Sequence, residues 1–305
     1  MESYKPSGKY LPSAYYLIPL TYAVATSLLG VLYSLAIFFI PIVYFNILAI
    51  VLFTYGASIV GGMTVRRSRT RAPALAAGLA CLGSAVGFYV SWCFWIYLVF
   101  KKFAGGANFL EILTSPDGMR QAVMGINEYG TWSLKKTVVK GIFLWLVWAG
   151  EAAAYFILTC VYAVKKATRP YSESVDRWIP AVFEDLKLNL PEGPGEPEAT
   201  LAKLSQGDLS WLKTARQFQG DDKNARALEI DLYTDPVVSD AYLSARLKGK
   251  GKKNDKTDSH VLKLAKIPFL EAQELGRRLL EREVPDQPGP PETPGQPDNA
   301  GNQSA

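Results

Sequence analysis

The sequence predicts an α-helical membrane bundle of four spans, followed by a small α+β soluble domain and a disordered tail. Three observations carry this. The first is a run of 56 residues without a charge, Tyr10 to Val65. About 20 apolar residues suffice to cross roughly 30 Å of hydrocarbon, so the run holds two helices rather than one. The second is a change of composition near Val164. Before it the chain is rich in Leu, Ile, Val, Phe, Trp and Tyr, and beyond Lys165 it is rich in Lys, Arg, Asp, Glu and Pro. The third is the stretch from Val284 onward, where Pro, Gly, Asn, Gln and Asp leave almost nothing to bury. The whole-chain mean hydropathy of +0.06 averages these unlike parts and conceals the membrane class.

Residues 1–14 form a short N-terminal segment that lacks the apolar core and small-residue cleavage site of a secretory signal, so the first span is expected to be retained. Pro41 is the natural break in the uncharged run, because proline lacks a backbone donor and is tolerated at a helix start. This gives spans over 15–39 and 41–65. Arg66, Arg67, Arg69 and Arg71 end the second. A third span over 74–100 opens after Pro73 and closes at Lys101 and Lys102, and a fourth over 141–164 lies between Lys140 and Lys165.

Four spans return the chain to its starting side, and positive charge near the span ends chooses that side. Lys5, Lys9, the four arginines from Arg66 to Arg71, Lys165, Lys166, Arg169 and Arg177 make ten, against six in the loop 101–140. The bias places both termini in the cytoplasm and the loop outside. Trp92, Trp95, Tyr97, Trp145 and Trp148 are read either as an interfacial aromatic belt or as rings packed between helices. Within the loop, Ser115-Pro116-Asp117 has the order of a helix start, and Met119, Ala122, Val123 and Ile126 follow at helical spacing. That segment is an amphipathic helix on the membrane surface or across the bundle mouth, or an ordinary loop helix.

Glu151 is the sole ionisable acid or base inside the four spans. A carboxyl at that depth is costly, about 2.5–3.5 kcal/mol on insertion scales, and should face the bundle. Thr26, Ser27, Thr54, Tyr55, Ser84 and Tyr89 are the polar side chains at similar depth. The candidate functions are a proton or cation site at Glu151, or a neutral acid hydrogen-bonded between helices. Gly61-Gly62 and Gly83-x-x-x-Gly87 allow close helix approach.

The soluble domain, 165–285, reads as a strand over 181–188, a helix over 198–206, a second over 207–215, and a strand in which Leu228, Ile230 and Leu232 alternate with Glu229 and Asp231. A hairpin follows, with arms at 241–247 and 261–267 around the Lys248 to Ser259 turn, and then a closing helix with Phe269, Ala272, Leu275, Leu279 and Leu280. Residues 286–305 are the tail. Cys81, Cys93 and Cys160 all fall in apolar segments, so neither a disulfide framework nor a cysteine metal site is expected, and no cofactor is implied. His260 stands alone, without a cysteine in its domain, and reads as a solvated or packed residue. The basic run from Lys248 to Lys253 is short and followed by Asp255 and Asp258, so a solvated turn is preferred to a nucleic-acid or anionic-lipid site.

The segments Ile40-Pro41-Ile42-Val43-Tyr44-Phe45-Asn46, Gly130-Thr131-Trp132-Ser133, Gly141-Ile142-Phe143-Leu144-Trp145 with Glu151, and Gln206-Gly207-Asp208-Leu209 stand in an order that resembles uncharacterised bacterial four-span membrane proteins with a cytoplasmic C-terminal domain. The resemblance implies a bacterial inner-membrane location and brings no assigned activity. It also implies cysteine pairs after the Pro-Tyr at the domain start and in the central strand region. This chain has Ser172 and Ser174, and Asp235 and Val238, at those places, so any metal those cysteines bind in similar chains has no counterpart here.

No nucleotide-binding, zinc-protease or serine-hydrolase motif occurs, which argues against an enzyme. A lipid bilayer and a protein partner are expected, nucleic acid is not, and self-association stays open. The leading function is a membrane-anchored interaction or assembly module. A small proton- or cation-coupled transporter or channel working through Glu151 is the alternative, with a membrane enzyme a distant third.

Overall fold

The computed structural model describes residues 1–40, 43–103, 106, 108–130, 133–134, 137–191, 193, 195–218, 226–248 and 259–281. The Pro41 break, Thr131-Trp132, the basic run beyond Lys248 and the tail lie outside the described residues. The chain divides into two compact units, Tyr4–Ile179 and a second made of Met1–Ser3 with the residues from Pro180 onward.

The first unit holds the four long apolar helices: α1 (Ala14–Phe39), α2 (Val43–Arg67), α3 (Pro73–Phe103) and, after the loop elements, α6 (Ile142–Ala167). Each is 25 to 31 residues long. At 1.5 Å per residue the shortest is about 38 Å, enough to cross the hydrocarbon with its backbone groups satisfied internally. Arg66 and Arg67, Lys101 and Lys102, and Lys165 and Lys166 occupy the last turns of α2, α3 and α6, where cations also complement the helix dipole. The helices form a ring in which α1 and α6 each pack against both α2 and α3.

The α1–α3 seam has a four-residue period. Ala14, Ile18, Tyr22, Thr26, Gly30 and Ser34 are the buried residues of α1. They meet Gly83, Gly87 and Ser91 of α3, and Ser34 Oγ donates to the Ser91 carbonyl at 2.8 Å. On the other side of α1, Tyr16, Leu20, Val24, Leu28 and Leu32 are exposed at the same period and form its lipid-facing stripe. Small residues on facing helices let the backbones approach, which is how helices associate where lipid tails are as apolar as side chains.

Between α3 and α6 lie α4 (Phe109–Thr114), α5 (Pro116–Tyr129) and a two-stranded hairpin, β1 (Ser133–Leu134) with β2 (Thr137–Val138). Asn108 caps α4 by accepting from the Leu110 N–H at 3.0 Å. Ser115 caps α5, accepting from the Gly118 N–H at 3.2 Å, with Pro116 in the first turn, as the sequence predicts. The far end of α5 is tied to the start of α6 by a reciprocal pair: Asn127 Nδ2 donates to the Gly141 carbonyl at 2.9 Å, and the Gly141 N–H donates to the Asn127 carbonyl at 3.0 Å.

At the opposite end of the bundle a small hairpin, β3 (Tyr171–Ser172) and β4 (Arg177–Trp178), clasps the α2–α3 turn and the N-terminal segment. The Arg71 guanidinium lies 4.1 Å over the Tyr171 ring, with Nε 3.2 Å from Glu173. Ser7 Oγ donates to Glu173 at 2.7 Å, Lys9 pairs with the same carboxylate, Arg69 pairs with Asp176, and Trp178 Nε1 donates to the Arg66 carbonyl at 2.9 Å. Ser172 and Ser174, at the first of the two places noted above, hydrogen-bond each other at 3.0 Å. Burial alone would raise the Glu173 carboxyl, but Ser7, Arg71 and Lys9 outweigh it and hold it below the usual range. A depressed carboxyl stabilises above its unfolded pKa, near 4.3, and that stability is lost as pH falls through the folded value. Hydrogen-exchange protection of residues 170–179 is therefore expected to fall below about pH 4.5, and Glu173→Gln should remove that pH step.

In the second unit, β5 (Ala181–Asn189), α7 (Glu196–Gln206), a 3-10 turn over Ser210–Lys213, β6 (Ala227–Asp235), β7 (Asp240–Lys248), β8 (Ser259–Lys266) and α8 (Phe269–Glu281) build a four-stranded antiparallel sheet in the order β5-β6-β7-β8. Leu228, Ile230, Leu232, Leu243 and Ala245 point to one face and are buried with Ala272, Leu275 and Leu279 of α8. The other face carries charge, with Glu229 buried between Arg246 at 2.9 Å and Lys248 at 2.5 Å. The helix expected over 207–215 is only a 3-10 turn. Gly207 stops α7 in the left-handed region, and Asp208 accepts from the Ser210 N–H at 2.9 Å, an Asx arrangement that competes with α-helix. Met1–Ser3 extend the sheet at β8: Ser3 bridges Ala265, and the Lys266 N–H donates to the Glu2 carbonyl at 2.8 Å. The first residues thus belong to the soluble unit, while 165–179 belong with the helices.

Candidate functional site

The end of the bundle beneath α5 encloses a cavity of about 1090 Å³. All four spans and α5 line it. Phe38 at the end of α1, Asn46 at the start of α2 and Lys102 at the end of α3 mark its outer part; Tyr33, Ile50, Phe88 and Glu151 mark its depth. Gly118, Gln121, Ala122, Gly125, Ile126 and Tyr129, one face of α5, close the top. Met119, predicted on the apolar stripe with Ala122 and Ile126, instead turns toward α3, with its sulfur 3.8 Å from Cys93 Sγ.

Aromatic rings pack around the deep end of the cavity. Around Glu151, Tyr33 stacks on Phe53 at 5.2 Å, Phe53 on Tyr155 at 4.9 Å and Phe88 on Tyr155 at 5.5 Å. Phe53, Ala57 and Tyr155 are buried, so aromatic packing closes the floor. Walls of Trp92, Trp95 and Trp148 continue this character upward, Trp92 meeting Trp148 edge-on at 4.9 Å. Of the two readings of the tryptophans, packing between helices describes these three; Trp145 is exposed.

Glu151 sits a little over two turns into α6, and the Tyr33 hydroxyl of α1 is close enough to interact with it. Among the described residues, the charged side chains lining the cavity are Glu151 and Lys102. Lys102 lies ten residues beyond Trp92 on α3, about 15 Å along the axis, where its ammonium rests over the Phe38 ring. It does not neutralise the acid.

The polar residues that depth in the sequence suggests as companions of Glu151 are elsewhere. Thr26 donates to the Tyr22 carbonyl and Ser27 to the Ala23 carbonyl, each within its own helix. Thr54 and Ser84 are buried without a side-chain hydrogen bond, Tyr155 donates to the Ser84 carbonyl at 3.4 Å, and Tyr55 faces outward. Tyr89 donates to the Leu113 carbonyl at 3.0 Å and so anchors α4 to α3. Tyr33, Asn46 and Gln121 are the functional candidates that sequence reasoning missed. Tyr33 is hidden among many span aromatics, and Gln121 lies outside the spans; Asn46, a lone amide in an apolar run, is the one residue type that could have been flagged.

In the soluble unit His260 is held below its ordinary pKa by burial and by the nearby Arg246 and Lys263. Among the described residues no group of three or more His, Cys, Asp or Glu side chains is placed to hold a metal. Compared with protein-family models, curated proteins and solved structures, the chain matches none.

Proposed function

We propose that this protein is a membrane-anchored binding module whose bundle holds a small ligand in the cavity beneath α5 and whose α+β domain serves a protein partner. The observation that carries the reading is a cavity of about 1090 Å³ with one carboxyl near a closed aromatic floor. That volume lies just above the roughly 300–1,000 Å³ typical of small-molecule sites, and the lining has the usual form, apolar walls with a few polar groups. The positive-charge bias and the resemblance to bacterial four-span proteins support an inner-membrane protein with the mouth outside and both termini in the cytoplasm. A coupled transporter, the other reading that Glu151 invites, needs a second access to the carboxyl, and Tyr33, Phe53, Phe88 and Tyr155 fill that path.

Single cysteines at Gln121 and Ile50, introduced after Cys81, Cys93 and Cys160 are replaced by alanine, test this with a membrane-impermeant thiol reagent. Both are expected to react from outside the cell and neither from the cytoplasmic face of inverted vesicles. Reaction of Ile50→Cys from the cytoplasmic face would establish alternating access and replace the binding reading with transport. Reaction at neither face would mean that the cavity is not reachable, and Gln121→Cys reacting only from the cytoplasm would reverse the orientation.

A further inference from the structure

The deep end of the cavity offers the acceptor oxygens of Glu151 within an apolar and aromatic lining. An ionised carboxyl offers two oxygens with about four acceptor positions, and the Tyr33 hydroxyl is a nearby donor. Nearer the mouth, Asn46 Oδ1 is buried without a hydrogen-bond partner in the same cavity. Around this acceptor set stand the rings of Tyr33, Phe88, Trp92 and Trp148. Aromatic faces carry a negative quadrupole and attract ammonium groups, most strongly where water is excluded. The remaining lining is Ile37, Ile47, Ile50, Val99 and similar apolar side chains, which suit a hydrocarbon body.

From this juxtaposition, and resting on the binding reading above, we infer that the cavity takes an amphiphilic organic cation, an amine or quaternary ammonium with an apolar body, its charged end directed to Glu151 between the aromatic walls. An anionic ligand would set its charge against Glu151 at the floor. A wholly apolar one would leave the carboxyl and Asn46 unmatched in a site from which it has expelled water.

Phenyltrimethylammonium and its uncharged isostere tert-butylbenzene separate charge from shape. Binding of each is read by quenching of tryptophan fluorescence with the full chain in dodecyl maltoside micelles, which contain no ammonium group. The cation is expected to bind about tenfold or more tighter than the isostere, an advantage that Glu151→Gln should abolish without changing binding of the neutral compound. Gly125→Leu on α5 should weaken both, since a Cβ at Gly125 meets nothing within 4 Å and the added side chain fills the cavity rather than disturbing the fold. Equal binding of the two compounds, or cation binding unchanged in Glu151→Gln, overturns the cation inference. If Gly125→Leu still weakens both in that case, the cavity remains a binding site for apolar molecules and the proposed function stands. Failure of the cation to bind at all overturns the inference, and the thiol accessibility of Ile50→Cys then decides separately whether the binding reading also falls.

Discussion

Gly83→Leu is expected to disrupt the bundle, lowering the yield of folded, monodisperse protein in mild detergent several-fold. A Cβ at Gly83 would lie 2.6 Å from the Pro19 carbonyl oxygen and 3.0 Å from the Pro19 Cα, as well as against the Tyr22 side chain. The obstacle is largely backbone, which cannot rotate away as a flexible side chain could. Overpacking a well-filled interior costs about 1–3 kcal/mol and occasionally more, and here the strain is spread along the whole α1–α3 seam because both helices are rigid. Gly78→Ala on the same helix is the control: a Cβ there meets nothing within 4 Å, and alanine improves helix propensity by about 1 kcal/mol over glycine. Thermal aggregation followed by size-exclusion chromatography reads both variants. A Gly83→Leu protein as stable as Gly78→Ala would mean that α1 and α3 are not held in contact at this point.

That seam shows what the sequence can and cannot reveal. Four spans, the α5 cap with Ser115 and Pro116, and the alternating strand at Leu228, Ile230 and Leu232 follow from local rules of hydropathy, capping and pleat, so each is legible. Gly83 and Gly87 are visible as a small-residue motif. Their partner stripe on α1 is not, because Tyr22 and Thr26 are not small, and only the packing shows that they occupy the space the glycines leave. In the soluble domain the apolar pattern over 207–215 suggests a helix that Asp208 prevents by competing for the backbone, and the pairing of Met1–Ser3 with β8 spans more than 250 residues of sequence. No local pattern announces such a contact. At the candidate site, the oddity of Glu151 is plain from its charge in an apolar span, whereas depth alone suggests neighbours that the packing does not bring to it. Depth along a helix fixes height but not azimuth: Tyr55 has a suitable height and faces outward, while Tyr33 faces the acid.

Glu151→Lys is expected to lower folded yield and melting temperature clearly, whereas Glu151→Gln should stay within about 1 kcal/mol of the parent. The contrast follows from the partner. A glutamine side chain would keep an acceptor for the Tyr33 hydroxyl, is close to the carboxyl in shape, and carries no charge to desolvate. A lysine has only donors, so it leaves the Tyr33 hydroxyl without an acceptor there and sets an ammonium in a cavity where, among the described residues, no other acid lines the wall. The aromatic walls return part of the cost of the ammonium, about 0.5–2 kcal/mol for a cation over a ring. Folded yield and melting temperature in detergent decide the order, and the substitutions are best measured together with Tyr33→Phe. If Glu151→Gln and Tyr33→Phe are both harmless and Glu151→Lys is not, the carboxyl is dispensable for folding, and its retention at a depth where it is costly has to be explained by what enters the cavity. If Glu151→Gln is as harmful as Glu151→Lys, the acid holds α6 to α1, and the argument for a ligand at Glu151 loses its ground.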